Sequence, residues 1–281
     1  MQIMDRVQRG MKRRFSHWQS NRQIERLERE VLTHAPQPSA APVVFFNAST
    51  RLGGVSLNAA YSLLIGLALR LNGAPVAHFV CQRGLTPCVL GTNRDNPHSL
   101  PPCAECIAQS NVLTKGSHTR ALIPIQMPEM ESALAGLSVQ EMLDFCWRGA
   151  PLGRLTLPAL RWVLRRHHLL EDEPTRYLFR QYLISAGRVV QQFGAFLDEV
   201  KPQAVVVFNG QFYPEAAARW VGQQRGLRVI SHEIGLRPFT AYFTDGDATA
   251  YPIHIDDTFE LSPAQNQKLD TYLEQRFQGN F

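Results

Sequence analysis

The chain has 281 residues, 44% of them hydrophobic and 19% charged, which excludes a disordered polymer and allows one large domain or two modest ones. The formal net charge of +5 gathers at the amino terminus, where Arg6, Arg9, Lys12, Arg13, Arg14, Arg22, Arg26 and Arg29 are set against only Asp5, Glu25, Glu28 and Glu30. The nearly neutral remainder excludes a broad phosphate-tracking surface, so nucleic acid is not an expected partner.

Met4, Val7, Met11, Phe15, Trp18, Ile24, Leu27 and Val31 recur at helical spacings with arginines between them, which predicts an amphipathic basic helix or helix pair over residues 1–34. Such a segment suits peripheral contact with an anionic membrane through 1–32, or packing on its own domain or a partner. No apolar core precedes a small-residue cleavage site, so a cytoplasmic chain, membrane-associated at most, is expected. Prolines and alanines make 35–42 a linker.

The run Val-Val-Phe-Phe at 43–46 is too short for a helix and reads as a buried parallel strand. A polar turn ending in Gly53-Gly54 follows, and 55–71 is an apolar helix too short and too interrupted to span a membrane. Its polar or small positions Asn58, Ser62, Gly66 and Arg70 fall every fourth residue and predict a single wet edge. A strand, a glycine turn and a helix whose first N–H groups point back over the strand end open a doubly wound α/β domain and offer a place for an anionic or hydroxyl-rich ligand. Gly53-Gly54 matches neither the dinucleotide fingerprint nor the phosphate-loop lysine pattern, and a plain turn pair is the alternative.

A second strand is expected at 75–80, followed by a glycine- and proline-rich insertion over 81–110. Cys81, Cys88, Cys103 and Cys106 lie there, spaced C-x6-C and then C-x2-C. Four thiolates complete a tetrahedral zinc shell, and C-x2-C is the spacing at which a tight turn aims two sulfurs at one ion. An iron–sulfur cluster, reduced thiols or a disulfide would use the same residues. The loop is expected to be too polar to bury and to need a staple such as a metal. Cys146, between Phe145 and Trp147, reads as a buried thiol on a helix. Helices are expected at 107–114, 139–146, 157–167 and 177–200, and a short strand at 121–125; His167-His168 lacks the i, i+4 spacing of a metal pair and reads as a solvated turn.

Residues 202–208 repeat the opening pattern: an apolar strand, then Asn209-Gly210, then a helix begun by Pro214 with Glu215 complementing its positive end. A further strand at 227–231 delivers His232, Glu233, Gly235 and Arg237, and 240–244 adds one more. Ligands of open α/β sheets sit at the carboxyl ends of the strands, so the turns after Phe46, Phe208 and Ser231 are expected along one rim. The domain is therefore expected over 43–260, with 261–281 a terminal helix or linker.

Taken together, Asn47 through Gly53-Gly54, the Pro-Pro-Cys-x-x-Cys-x-x-Gln-Ser insertion, Phe-Asn-Gly-x-Phe-x-Pro-Glu and Glu233-x-Gly-x-Arg-Pro make 42–255 resemble the amino-terminal half of a GT-B-type glycosyltransferase of bacterial capsule or surface-polysaccharide biosynthesis. The resemblance implies a Rossmann-like acceptor-side domain facing a second domain that holds most of the nucleotide sugar. The glycine-rich and acidic motifs of that second half are not found before Phe281, so a second domain or partner chain is expected. A glycosyl transfer needs a base beside the acceptor hydroxyl and donors beside the departing diphosphate. On this resemblance Glu233 or His232 is the base, Arg237 meets a phosphate or carboxylate, and the amides of Gly53, Gly54, Asn209 and Gly210 line the cleft. A metal-stapled binding or scaffold module and an iron–sulfur redox protein are the rival readings.

Overall fold

A computed structural model describes residues 2–49, 54–85, 87–237, 239–251 and 253–279, with the backbone alone for 2–9 and 13. In chain order the elements are α1 (Gln2–His34), β1 (Val43–Asn47), α2 (Leu57–Leu71), β2 (Val76–Cys81), α3 (Cys103–Leu113), β3 (His118–Leu122), α4 (Pro128–Leu134), α5 (Val139–Leu143), α6 (Leu152–Leu164), α7 (Glu173–Val200), β4 (Ala204–Phe208), α8 (Tyr213–Gln223), β5 (Arg228–Ile234), β6 (Ala241–Thr244) and α9 (Pro263–Phe277). The fold is α/β. Its six strands run in the order β3-β2-β1-β4-β5-β6, all parallel except β6, which pairs antiparallel with β5. This is the doubly wound order, in which the chain reverses direction across the sheet between β1 and β4 and opens a crevice at their carboxyl ends.

The central strands β1, β2 and β4 form because each is a short, β-branched or aromatic run buried on both faces, while the edge strands β3 and β6 are largely exposed or half-buried. Val44 and Phe46 of β1 face one layer, where Phe79 of β2 and Phe193 and Phe196 of α7 join the main core with α4 to α8. The rings of Phe46 and Phe79 approach Phe193 at centroid distances of 5.1 Å and 5.0 Å. Val43 and Phe45 point the other way, onto Ile65 and Leu69 of α2. α1 completes that second layer: Ile24 and Val31 pack with Leu63, Leu67 and Leu113. Its more amino-terminal apolar side chains Met11, Phe15 and Trp18 stay exposed.

Several expectations change here. The Asn58, Ser62, Gly66 and Arg70 stripe of α2 is the inward face, not a wet edge. Ser62 and Gly66 are buried, a Cβ on Gly66 would stand 3.8 Å from Val76, and Arg70 pairs at 2.6 Å with the buried Glu28 of α1. Small residues let the helix lie close on β2, and Ser62 and Arg70 find partners from distant parts of the chain, so Leu57, Leu64, Ala68 and Leu71 are exposed instead. Burial outweighs the Arg70 pairing and holds the Glu28 carboxyl above the ordinary range.

The insertion is too polar to bury only in part: Asn93, Arg94, Asp95, Asn96 and His98 are exposed, whereas Gly84, Leu85, Pro87 and Val89 are buried. Leu85 and Val89 join the main core, the Tyr213 hydroxyl donates to the Pro87 carbonyl at 2.8 Å, and Arg188 Nη1 donates to the Gly84 carbonyl at 3.4 Å. Much of its stapling is therefore done by the protein. Cys103 and Cys106 lie within α3 rather than in a tight turn, because Ala104 and Glu105 favour the helix once Pro101-Pro102 have ended. Cys146 is exposed and lies outside any helix.

Candidate functional site

The carboxyl ends of β1, β4 and β5 stand side by side, and a cavity of about 350 Å3 opens among them. β1 contributes Asn47, α2 contributes Ser56, Asn58 and Ser62, β4 contributes Phe208, α8 contributes Glu215 and β5 contributes His232. Among the described residues its lining contains no lysine or arginine. Ser56 caps α2, accepting a bond from the Ala59 N–H, which aims the first turn of the helix at the rim.

One wall is a buried relay. Ser62 Oγ donates to Asn47 Oδ1 at 3.3 Å, and Asn47 Nδ2 lies 3.0 Å from His78 Nδ1. The amide can only donate there, so His78 is the neutral tautomer with its proton on Nε2. Burial, reinforced by the Arg70 charge, drives the His78 pKa down to about 4. Burial likewise lowers His232 to about 4.

The opposite wall holds Glu215. It is fully enclosed, and burial raises its carboxyl to about 8, opposed only by its own backbone N–H. The expectation that Glu215 serves as an anion at the helix start is corrected by this burial. At neutral pH it is a carboxylic acid able to donate a hydrogen bond. Among the described residues, Asn58 Oδ1 and His232 Nδ1 are buried and have no hydrogen-bond partner. Two orphaned polar atoms and a protonated acid around one cavity are costly unless something fills it.

The other sequence-predicted residues distribute as follows. Asn209, at φ +60°, and Gly210, at φ +83°, make the turn after β4. Asn209 Nδ2 donates to Glu233 Oε2 at 2.8 Å, and the Ile234 N–H donates to Glu233 Oε1 at 2.8 Å. Glu233 and His232 belong to β5 itself, which runs past the expected end because β6 pairs with it, Glu233 opposite Tyr242. Alternation sends the two side chains to opposite faces: His232 is buried and Glu233 half-buried.

Gly54, at φ +76°, approaches His17 of α1 rather than the cavity; a Cβ there would stand 2.9 Å from His17 Nε2. Gly53 lies outside the described residues. Arg237 is not brought to the rim either; it lines a separate cavity of about 410 Å3 against α9, with Tyr272 and Lys268. A comparison with protein-family models and with curated protein sequences finds no match.

The cysteines come from three places: Cys81 from the end of β2, Cys88 from the following loop, and Cys103 and Cys106 from the first turns of α3. The Gly91 N–H donates to Cys88 Sγ at 3.1 Å, and Gly91 packs so closely on Pro101 that a Cβ would stand 2.5 Å from it. Burial pushes the Cys81 thiol up to about 11 and Cys88 to about 12, and both feel Cys103 and Cys106 as electrostatic neighbours. As the side chains stand, no three His, Cys, Asp or Glu residues among the described residues form a group that could hold a metal ion. All five cysteines are free thiols.

Sequence reasoning missed Ser56, took Asn47 only as the start of a motif, and gave Glu215 and Asn58 other roles. A polar residue ending a wholly apolar strand, as Asn47 does, was the available signal.

Proposed function

We propose that the chain is an acceptor-side glycosyltransferase domain, whose rim cavity holds a sugar of a glycan or lipid-linked acceptor while a nucleotide sugar supplies the transferred group. The observation that carries this reading is the pairing of orphaned buried groups, Asn58 Oδ1 and His232 Nδ1, with the protonated Glu215 around one cavity. An acceptor, a neutral imidazole and an acid proton match an uncharged ring carrying several hydroxyls. Glu233, with its carboxylate held by Asn209 Nδ2 and the Ile234 N–H, lies outside the cavity's lining and on the other face of β5 from His232, so this reading gives it no part as base on the sugar held there. His232 stays neutral and orients the ligand. Arg237, Gly54 and the cavity at α9 are left to the side that a second domain or partner chain would face.

Calorimetric titration tests the proposal with UDP-glucose, UDP-N-acetylglucosamine and farnesyl-diphosphate-linked N-acetylglucosamine, each compared with the same diphosphate lacking its sugar. At least one should bind more tightly with the sugar than without it. Asn58→Ala should weaken that sugar-dependent part by about tenfold, the worth of one buried hydrogen bond. Sugars that add nothing to any of the three would remove the proposal.

No helix among the described residues is long and apolar enough to cross a membrane. Met11, Phe15 and Trp18, exposed beside Lys12, Arg14 and Arg22, support peripheral contact of α1 with an anionic bilayer. Such a surface would bring a lipid-linked acceptor to the domain from the cytoplasmic side.

A second reading, a zinc-stapled binding module, is favoured by one specific observation: four sulfurs from β2, its loop and α3 are electrostatic neighbours in a partly buried cluster. Ligation would need the four side chains to close onto the ion. Titration of anaerobically reduced protein with Co2+ should then give the intense visible bands of tetrahedral thiolate cobalt at one ion per chain. Cys103→Ser with Cys106→Ser should lose those bands and Cys146→Ser should keep them. A brown iron-containing preparation would favour the cluster alternative over zinc, and the absence of any cobalt spectrum would end the metal reading.

A further inference from the structure

A further cavity, of about 600 Å3, lies between the 89–95 loop and the carboxyl-terminal end of α6. Three guanidinium side chains line it, Arg94, Arg161 and Arg165, against the single carboxylate of Asp95. Asp95 is almost fully exposed and reaches Arg94 only at 3.6 Å, so solvent screens most of its charge. Arg161 has a buried Nε with no acceptor among the described residues. A guanidinium N–H taken out of water without a partner is costly, which makes an oxygen anion the fitting occupant. Trp162, half exposed beside these arginines, packs at 5.2 Å with its ring tilted against Phe212, the residue that caps α8 just ahead of Glu215. Leu90 lines both this cavity and the rim cavity, so the two abut.

We propose that Arg94, Arg161 and Arg165 form a diphosphate-binding site, with Trp162 giving a flat apolar surface to whatever the diphosphate carries. The position of the site beside a sugar cavity rests on the function proposed above; the anion site itself rests on its own residues. Arginine forks match phosphate oxygens two at a time, and three of them suit a group carrying two to three negative charges better than a lone carboxylate would. A nucleoside diphosphate and an isoprenoid diphosphate share this chemistry. Both have an apolar or aromatic part that Trp162 can cover.

The test is calorimetric titration of the full chain with inorganic pyrophosphate, UDP and farnesyl diphosphate at low salt. Pyrophosphate should bind, and Arg161→Gln with Arg165→Gln should weaken it by about tenfold or more. Arg154→Gln with Arg166→Gln removes the same charge from α6 and the segment just after it, outside the cavity, and should change the affinity by no more than about twofold. Thermal melting of both double variants checks that they fold. Trp162→Ala should weaken whichever of UDP or farnesyl diphosphate is the better ligand while sparing pyrophosphate, which names the source. No binding of pyrophosphate, or equal losses in the two double variants, would overturn the anion site. Pyrophosphate binding that depends on Arg161 and Arg165, combined with no gain from any attached sugar, would keep the anion site and reject the sugar cavity.

Discussion

Glu215→Gln should make the folded protein more stable at pH 8 and leave it nearly unchanged at pH 5. In the folded chain the carboxyl titrates near 8, against an ordinary value of 4.5, because it is fully buried. The folded state therefore binds this proton more tightly than the unfolded chain does. The resulting stability is complete below about pH 4.5 and is lost as pH rises toward 8. At about 1.4 kcal/mol per unit, the wild type should lose on the order of 3 kcal/mol between pH 5 and pH 8 from this group, and glutamine abolishes that loss. His78 and His232 act in the opposite sense. Their folded values, about 4, lie below the ordinary 6.5. Their contribution is present above 6.5 and lost as pH falls toward 4. Urea denaturation across pH 4 to 9 should thus show a maximum near pH 6.5 in the wild type and a flattened alkaline side in the variant. An unchanged alkaline decline would mean that Glu215 is ionised in the native state, and the cavity would then be an anionic one.

Phe193→Ala should cost about 3–5 kcal/mol, a large share of the about 5–15 kcal/mol by which domains of this kind are stable. Phe193 is completely buried and its ring meets Phe46 edge-on and Phe79 at an incline. Truncation removes both contacts and leaves a hole between α7 and the middle of the sheet, which helix and strands can close only in part. The effect reaches the site because Phe46 and Phe79 immediately precede Asn47 and Val80 on β1 and β2, the strands whose ends carry the Asn47–His78 relay. Denaturation midpoints should fall with no change in the slope against urea. Leu64→Ala, on the exposed face of α2, serves as the comparison and should shift the midpoint little.

The parallel strands were legible because their signal is local: Val-Val-Phe-Phe and Ala-Val-Val-Val-Phe can be buried on both faces only inside a sheet. The rim position of Asn209 followed from the same logic, since strand, turn and helix fix where a turn must lie. Glu233 was legible as a neighbour of that turn, although not as part of β5, because pairing with β6 overrides the polar character of His232-Glu233. The inversion of α2 was not legible. Spacing places Asn58, Ser62, Gly66 and Arg70 on one stripe, but which way it faces depends on Asn47, His78 and Glu28, all of them remote in sequence. Glu215 was misread for a related reason, since its place at a helix start is visible locally and its burial is not. The stretch from 107 to 172 stayed the hardest, with α4 absent from the expectation and α6 beginning at Leu152, because its short amphipathic pieces take their order from packing on α7 rather than from their own periodicity.

Hydrogen exchange during titration with a sugar diphosphate most directly tests the claim that the carboxyl rim of β1, β4 and β5 is where this protein meets its ligand. Slowed exchange in 54–59 and 209–215, with 261–277 unaffected, is the predicted result. Protection confined to α9 and the 236–237 turn, with the rim amides exchanging as in the free protein, would contradict it.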